Sequence, residues 1–209
     1  MKNKLFFLAL IAMVLVGCSK DDGEESGGSL PSLPDPNDVC SAMDDSEFIR
    51  YCYDHFDLDK DLAVSPKEAA LVRKIGDDQV NDNYDVRSVK GIEYFPNLVE
   101  LDLRGWYVAD LDLSYNLGLT NLRYSWLGFS IITLKLPKTL EEVHSWTFVY
   151  SPDLTTIYCP AVEPPHVDSG ELRVGDALSK IYVPKASAAK YQKAEGWKTC
   201  ASKIVGYDF

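Results

Sequence analysis

Histidine is nearly absent from this chain, and with it goes most near-neutral acid–base chemistry. Only His55, His144 and His166 occur in 209 residues, and each has a plain structural place: the end of a helix, a solvent-facing strand position, and a loop after Pro164-Pro165. No G-x-S-x-G, H-E-x-x-H or phosphate-cradling glycine motif occurs. Carboxylates abound, but nothing singles out a glycosidase pair. The expectation is a non-enzyme, with an unrecognised hydrolase as the remote alternative. Basic residues are also scarce, 21 Lys and Arg against 32 Asp and Glu for a net charge of −11, which argues against nucleic acid and anionic headgroups as partners. Long apolar runs are missing too. The longest, Leu5 to Val16, is too short to span a bilayer as a helix.

That run is informative for what surrounds it. Lys2 and Lys4 precede it, and Leu15-Val16-Gly17-Cys18 closes it in the pattern by which bacteria attach lipid to a cysteine. Residues 1–18 are therefore expected to be a lipoprotein signal peptide ending at Cys18, whose acyl chains would anchor the protein to a membrane at about 0.8 kcal/mol per buried CH₂. Residues 19–37 hold little that can pack and read as a flexible linker. Lys20-Asp21-Asp22-Gly23-Glu24-Glu25 resembles the acidic export signal of Bacteroidetes surface lipoproteins, which implies an outer-membrane location facing the exterior. A solubilising charge run reads equally well.

Four further cysteines, Cys40, Cys52, Cys159 and Cys200, are an even set suited to an oxidising compartment. Proximity favours Cys40 with Cys52 and Cys159 with Cys200, while four reduced buried thiols are the alternative. None has zinc-site spacing.

A repeat sets the fold. Units of the form L-x-x-[LIV]-x-x begin at Leu98, Leu119, Leu140, Leu154 and Leu178, with half-units at Val108 and Ile131. Apolar residues at positions one, four and six cannot be hidden by one coil, whereas stacked coils bury them as a ladder. The expected class is an α/β-type solenoid, a short leucine-rich-repeat β-stack over residues 91–209. Gly91 to Leu98 with LVELDL and LDLSYN resembles the leucine-rich repeats of Bacteroidetes surface proteins. The ending from Ile181 to Phe209 is similar to that of BspA-like repeat proteins. This resemblance implies a non-catalytic extracellular binding or adhesion module for protein or glycan. The chain departs from it in having few repeats, and aromatics where Asn or Cys ladders are usual.

Ahead of the repeats, residues 38–90 read as a helical cap. Ser46 to Phe56 has helical spacing, and a second helix is expected from Pro66 to about Ile75. Between them Asp57, Asp59, Asp61, Ala63, Ser65 and Glu68 fall at the ligand positions of a calcium loop. The segment resembles a single EF-hand and implies one structural Ca²⁺. Leu62 stands where the sharp turn prefers Gly, a position strained for a side-chain-bearing residue. Ser65, Pro66 and Glu68 also form a capping box, with or without metal.

The outward strand positions Glu100, Asp102, Arg104, Asn121, Arg123, Glu142 and His144 make a mixed-charge stripe, the expected ligand face. Trp106, Trp126 and Trp146 recur at nearly fixed distances from the repeat leucines, which favours a filling role between coils over a ligand platform. Tyr107, Tyr150 and Tyr158 are read evenly between the two. At the C-terminus, Ser187 is expected to cap a helix through about Glu195 that Gly196 stops, closing the last coil. The whole reads as a cell-surface, lipid-anchored binding module. A periplasm-facing structural or accessory lipoprotein is the alternative, and the oligomeric state is open.

Overall fold

Six-residue units rich in Leu, Ile and Val, broken by Asn, Gly and Pro turns, are too short to fold alone, and the chain solves this by stacking them. The computed structural model describes residues 29–76, 83–122 and 126–209. Cys18, residues 19–28 and Arg123 lie outside the described residues. The strands are β1 (Lys74–Ile75), β2 (Glu100–Leu101), β3 (Asp110–Asp112), β4 (Thr133–Lys135), β5 (Glu142–Val143), β6 (Thr156–Tyr158), β7 (His166–Val167), β8 (Lys180–Pro184) and β9 (Ile204–Tyr207). They pair parallel in a sheet of order β3-β4-β6-β8-β9 and in two short ladders, β1-β2 and β5-β7.

The five-stranded sheet shows the principle. Leu111, Leu134, Ile157, Ile181 and Ile204 are register partners in consecutive strands, all buried. Their neighbours point outward, as the period of two requires. Parallel strands buried on one face, one per coil, make a short solenoid of leucine-rich-repeat type.

The repeats form two columns rather than one series. Leu154 and Leu178 do not continue the run Leu98, Leu119, Leu140. Register places their units with those of Val108 and Ile131, at numbering steps of 23, 23 and 24. The other column runs through β2, residues 119–122 and β5 to Val167 of β7. The apparent loosening after Leu140 is thus a switch from one side of the coil to the other. Both columns drain into one core. Gly118 lets adjacent coils close up, since a Cβ there would lie 2.8 Å from the Leu98 carbonyl oxygen. The buried Asn116 ties the same coils, donating to the Ile92 and Phe95 carbonyls at 2.8 and 3.3 Å. It serves as one ladder asparagine that the aromatic-rich pattern concealed.

Helix α1 (Ser46–Phe56) forms where its spacing predicts. Asp45 caps it, accepting from the Glu47 and Phe48 amides at 2.8 and 3.0 Å. The other oxygen takes the Arg87 and Ser88 amides, so one carboxylate ties the helix to the segment entering the repeats. Burial alone would raise the Asp45 pKa, but these four N–H donors outweigh it and lower it. Phe48 and Tyr51 meet the Trp106 ring at 5.9 and 5.1 Å. Trp106 is 2% exposed, a core residue as expected.

Other expectations need correction. Helix α2 (Pro66–Ala69) stops well short of Ile75, because Lys74 and Ile75 pair with Glu100 and Leu101 and extend the β-stack. His166 begins strand β7 instead of sitting in a loop. The end of the linker is packed: Leu33 lies against the core, and the Pro31 carbonyl accepts from the Tyr94 hydroxyl at 2.9 Å. Ser187 makes no side-chain cap to α3 (Ala188–Tyr191). Beyond Gly196 a 3-10 helix, Trp197–Lys203, leads into β9. The C-terminal segment therefore adds a further strand as well as cover. Tyr191 and Trp197 seal it, donating to the Ala161 and Pro165 carbonyls, both at 2.7 Å.

All four described cysteines are buried free thiols. Cys40 and Cys52 adjoin each other, and burial followed by that neighbour pushes the Cys52 thiol well up. Cys159 instead faces the Tyr191 hydroxyl at 3.4 Å, with burial raising its pKa to about 11, while Cys200 faces the Leu172 carbonyl. The expected Cys159–Cys200 pairing is therefore not formed.

Leu134 sits mid-ladder and fully buried, whereas Leu117 is an exposed turn residue. Leu134→Ala is expected to cost about 2–5 kcal/mol in urea unfolding and Leu117→Ala less than about 0.5 kcal/mol. Equal costs would contradict the column assignment.

Candidate functional site

The strands turn alternate side chains outward, and at one place these enclose a groove of about 560 Å³. Lys74 of β1 and Glu100 of β2 form one wall, ion-paired at 2.9 Å. Arg104 lies beside them, its Nε 3.0 and 3.1 Å from the two oxygens of Asp102. Trp126, Phe129, Trp146 and Tyr150 supply most of the rest, with His144 between.

The tryptophans depart from expectation. Trp126 and Trp146 are 41% and 39% exposed and belong to the groove. Their constant spacing in sequence is not a constant place in the coil. Trp126 pairs across the ladder with Asp102, four residues before Trp106, so it sits on the outward side. Each indole is backed by a guanidinium: Arg104 stands 4.8 Å over Trp126 and Arg173 4.4 Å over Trp146. Such contacts are worth about 0.5–1 kcal/mol when exposed and hold the rings in place. The Tyr150 ring lies 5.3 Å from that of Trp126, tilted by 38°. Tyr107 is exposed elsewhere, and Tyr158 stacks on Tyr182 of the five-stranded sheet at 4.9 Å.

Of the expected ligand face, Glu100, Asp102, Arg104 and His144 reach the groove. Asp102 is a floor residue more than a contact, 3% exposed beneath Arg104. Asn121 and Glu142 bond to each other at 2.6 Å outside its lining. His144 points its Nε2 toward Asp168 at 3.5 Å, and its Nδ1 accepts from the Trp146 amide at 3.2 Å. Lys74, Phe129 and Arg173 were not foreseen. Lys74 was hidden by the helix expected there, and the others lie in segments without a repeat letter.

The acidic loop is a second candidate. Carboxylate oxygens of Asp57, Asp59 and Asp61 lie within 4.8 Å of one another. Asp57 accepts from the Asp61 and Leu62 amides at 3.2 and 3.0 Å, which curls the loop around it. Lys60 and Leu62 take φ of 61° and 70°, so the chain does adopt the left-handed turn at the sixth position. Leu62 can do this because its side chain points into solvent, 81% exposed. Val64 fastens the loop, its carbonyl accepting from the Val39 amide at 2.9 Å. Burial, then the Asp61, Glu68 and Asp57 charges, raise the Asp59 pKa. Ser65 is spent on the capping box, its hydroxyl donating to Glu68 Oε2 at 2.8 Å and its Oγ accepting from the Glu68 amide at 3.3 Å. Glu68 also turns Oε1 into the loop, accepting from the Leu58 amide at 2.8 Å. The Ser65 and Leu58 amides and the Ser65 hydroxyl hold its pKa below the usual carboxylate range. Three converging aspartates, with Glu68 aimed at the loop and the Ala63 carbonyl, suit a hard cation in donor type.

No family model matches the chain, and no curated protein does. Solved structures that resemble it include an internalin from Listeria monocytogenes, 17% identical with a TM-score of 0.39, over 75% of this chain and 47% of the internalin. The chain thus spans about half the length of that neighbour. So distant a likeness adds nothing to the strand register as the ground for the fold.

Glu68 links the loop to acid stability. Its folded pKa lies below its ordinary value of 4.5, so its stabilisation is complete above that pH and is lost as pH falls through the folded value. In chelator, the urea midpoint of the unaltered chain is expected to drop between pH 7 and pH 3 by more than that of Glu68→Gln. Asp45 and Asp112, also lowered, leave the variant some acid dependence. Parallel curves would remove the cap from acid unfolding.

Proposed function

We propose that this protein is a lipid-anchored binding module of the bacterial outer membrane. Cys18 carries the anchor, and the repeat domain faces the cell exterior and binds an extracellular protein or glycan without chemistry of its own. The observation that carries this reading is the groove. Two half-exposed tryptophans, each braced by an arginine, and Tyr150 gather in one concavity on the outward side of a stack. Exposed aromatics in a concave site are the usual anchors of recognition, because they present rigid area at little entropic cost.

Nothing nucleophilic faces the groove among the described lining residues except hydroxyl and imidazole groups without a triad geometry, which supports a binding role. The acidic loop is read as one structural calcium site. Asp57, Asp59, Asp61, the Ala63 carbonyl and Glu68 would hold the ion, which would neutralise three clustered carboxylates and fasten the N-terminal segment to the stack. Ser65, committed to the cap, is left out of the ligand set.

Whole cells treated with external protease are expected to lose the repeat domain, and Cys18→Ser to release it from the membrane fraction. On a glycan array and a panel of immobilised extracellular proteins, the chain should retain a ligand that the Trp126→Ala, Trp146→Ala double variant does not. Protease resistance of intact cells, or no ligand at high concentration, would sink the surface-binding reading. Calcium is checked by thermal unfolding: a bound ion raises stability by RT ln(1 + [L]/Kd), so millimolar Ca²⁺ should raise the midpoint over chelator, and Asp59→Asn should abolish the rise. An unchanged midpoint would remove the metal.

A further inference from the structure

We infer that the groove takes a neutral oligosaccharide, an inference that rests on reading the groove as the binding site. The first ground is charge. The fixed charges in its described lining cancel: Lys74 and Arg104 stand against Glu100 and Asp102, and each cation already contacts an anion of the same wall. A charged partner gains little from such a surface, since every new ion pair would break an old one. Ion-paired groups still offer hydrogen bonds. A carboxylate keeps free lone pairs and a guanidinium or ammonium keeps free N–H, so neighbouring hydroxyls of a sugar can be bonded two at a time.

The second ground is the aromatic arrangement. The braced indoles of Trp126 and Trp146 and the tilted ring of Tyr150 are held before a ligand arrives. Pyranose rings carry apolar C–H faces that pack on such planes while their equatorial hydroxyls reach the polar wall. Preorganisation lowers the cost of binding a ligand whose own contacts are weak.

The third ground concerns a peptide, the competing occupant. An extended peptide binds best by adding a strand to an open sheet edge. The strands beside the groove have no such edge: β2 pairs with β1, Asp102 bridges to Trp126, and β5 is paired with β7 and bridged to Asn121. The volume, about 560 Å³, suits a short oligomer.

The test uses the full acylated chain in a sugar-free zwitterionic detergent, titrated by intrinsic tryptophan fluorescence. The probes are cellotetraose, maltotetraose, mannotetraose and xylotetraose, with trigalacturonate and short polylysine and polyglutamate peptides as charged controls. At least one neutral tetrasaccharide should bind, with affinity changing less than about twofold between 50 mM and 1 M NaCl. Trp126→Ala and, as a second variant, Tyr150→Ala should each weaken it by about tenfold or more. No neutral probe binding, binding confined to the charged controls, or affinity that survives both variants would overturn the inference. If the saccharides fail while an immobilised protein is retained through Trp126, the glycan assignment falls and the binding-module reading stands.

Discussion

No coil of this chain can bury its own leucines. A unit such as Leu98 to Leu103 offers three apolar side chains on one side and unpaired backbone groups at both edges, and only the next coil can cover them. Everything else follows from that dependence. Parallel pairing sets the backbone of each coil about 4.8 Å above the last, so the side chains of one register position stack as Leu111, Leu134, Ile157, Ile181 and Ile204 do. Terminal coils have no neighbour on one side. At the N-terminal end α1 lays Phe48 and Tyr51 on Trp106. At the C-terminal end Tyr191 and Trp197 cover the core while β9 prolongs the sheet.

The same dependence explains the groove. Inward positions are committed to the core, so variation is free only outward, and an outward residue is held as firmly as the ladder behind it. Trp126 is positioned by its bridge to Asp102, and Asp102 by the buried ion pair with Arg104, whose guanidinium returns to cover Trp126. Three residues from two coils thus fix one another. A surface built this way is rigid without a large core beneath it.

Much of this architecture was legible in the letters. The boundaries of α1, the capping box at Ser65 and Glu68, and the apolar positions of each repeat follow from spacing alone, because local hydrogen bonds and side-chain period decide them. What was not legible depends on coil geometry. One leucine series and two interleaved columns have nearly the same spacing, and only the ladder register separates them. Lys74 and Ile75 carry helix-compatible letters, yet tertiary pairing with Glu100 and Leu101 made them a strand. Trp106 and Trp126 share a place in the sequence pattern and lie on opposite sides of the wall, since the turn after Leu103 carries one inward and the bridge to Asp102 holds the other out. Most of the stripe was foreseen and most of the aromatic lining was misassigned to the core. Cys18 and Arg123 stay as sequence expectations.

The central claim is that the second column is one cooperative ladder on which the outward site depends. Native-state hydrogen exchange tests it most directly, at the amides of Leu113, Leu136 and Cys159, which donate to the Lys135, Tyr158 and Tyr182 carbonyls at 2.8 Å each. The account predicts that these three are among the slowest to exchange and share one opening free energy, equal to that of global unfolding. Independent opening of any one of them at the rate of an exposed turn would contradict a shared ladder.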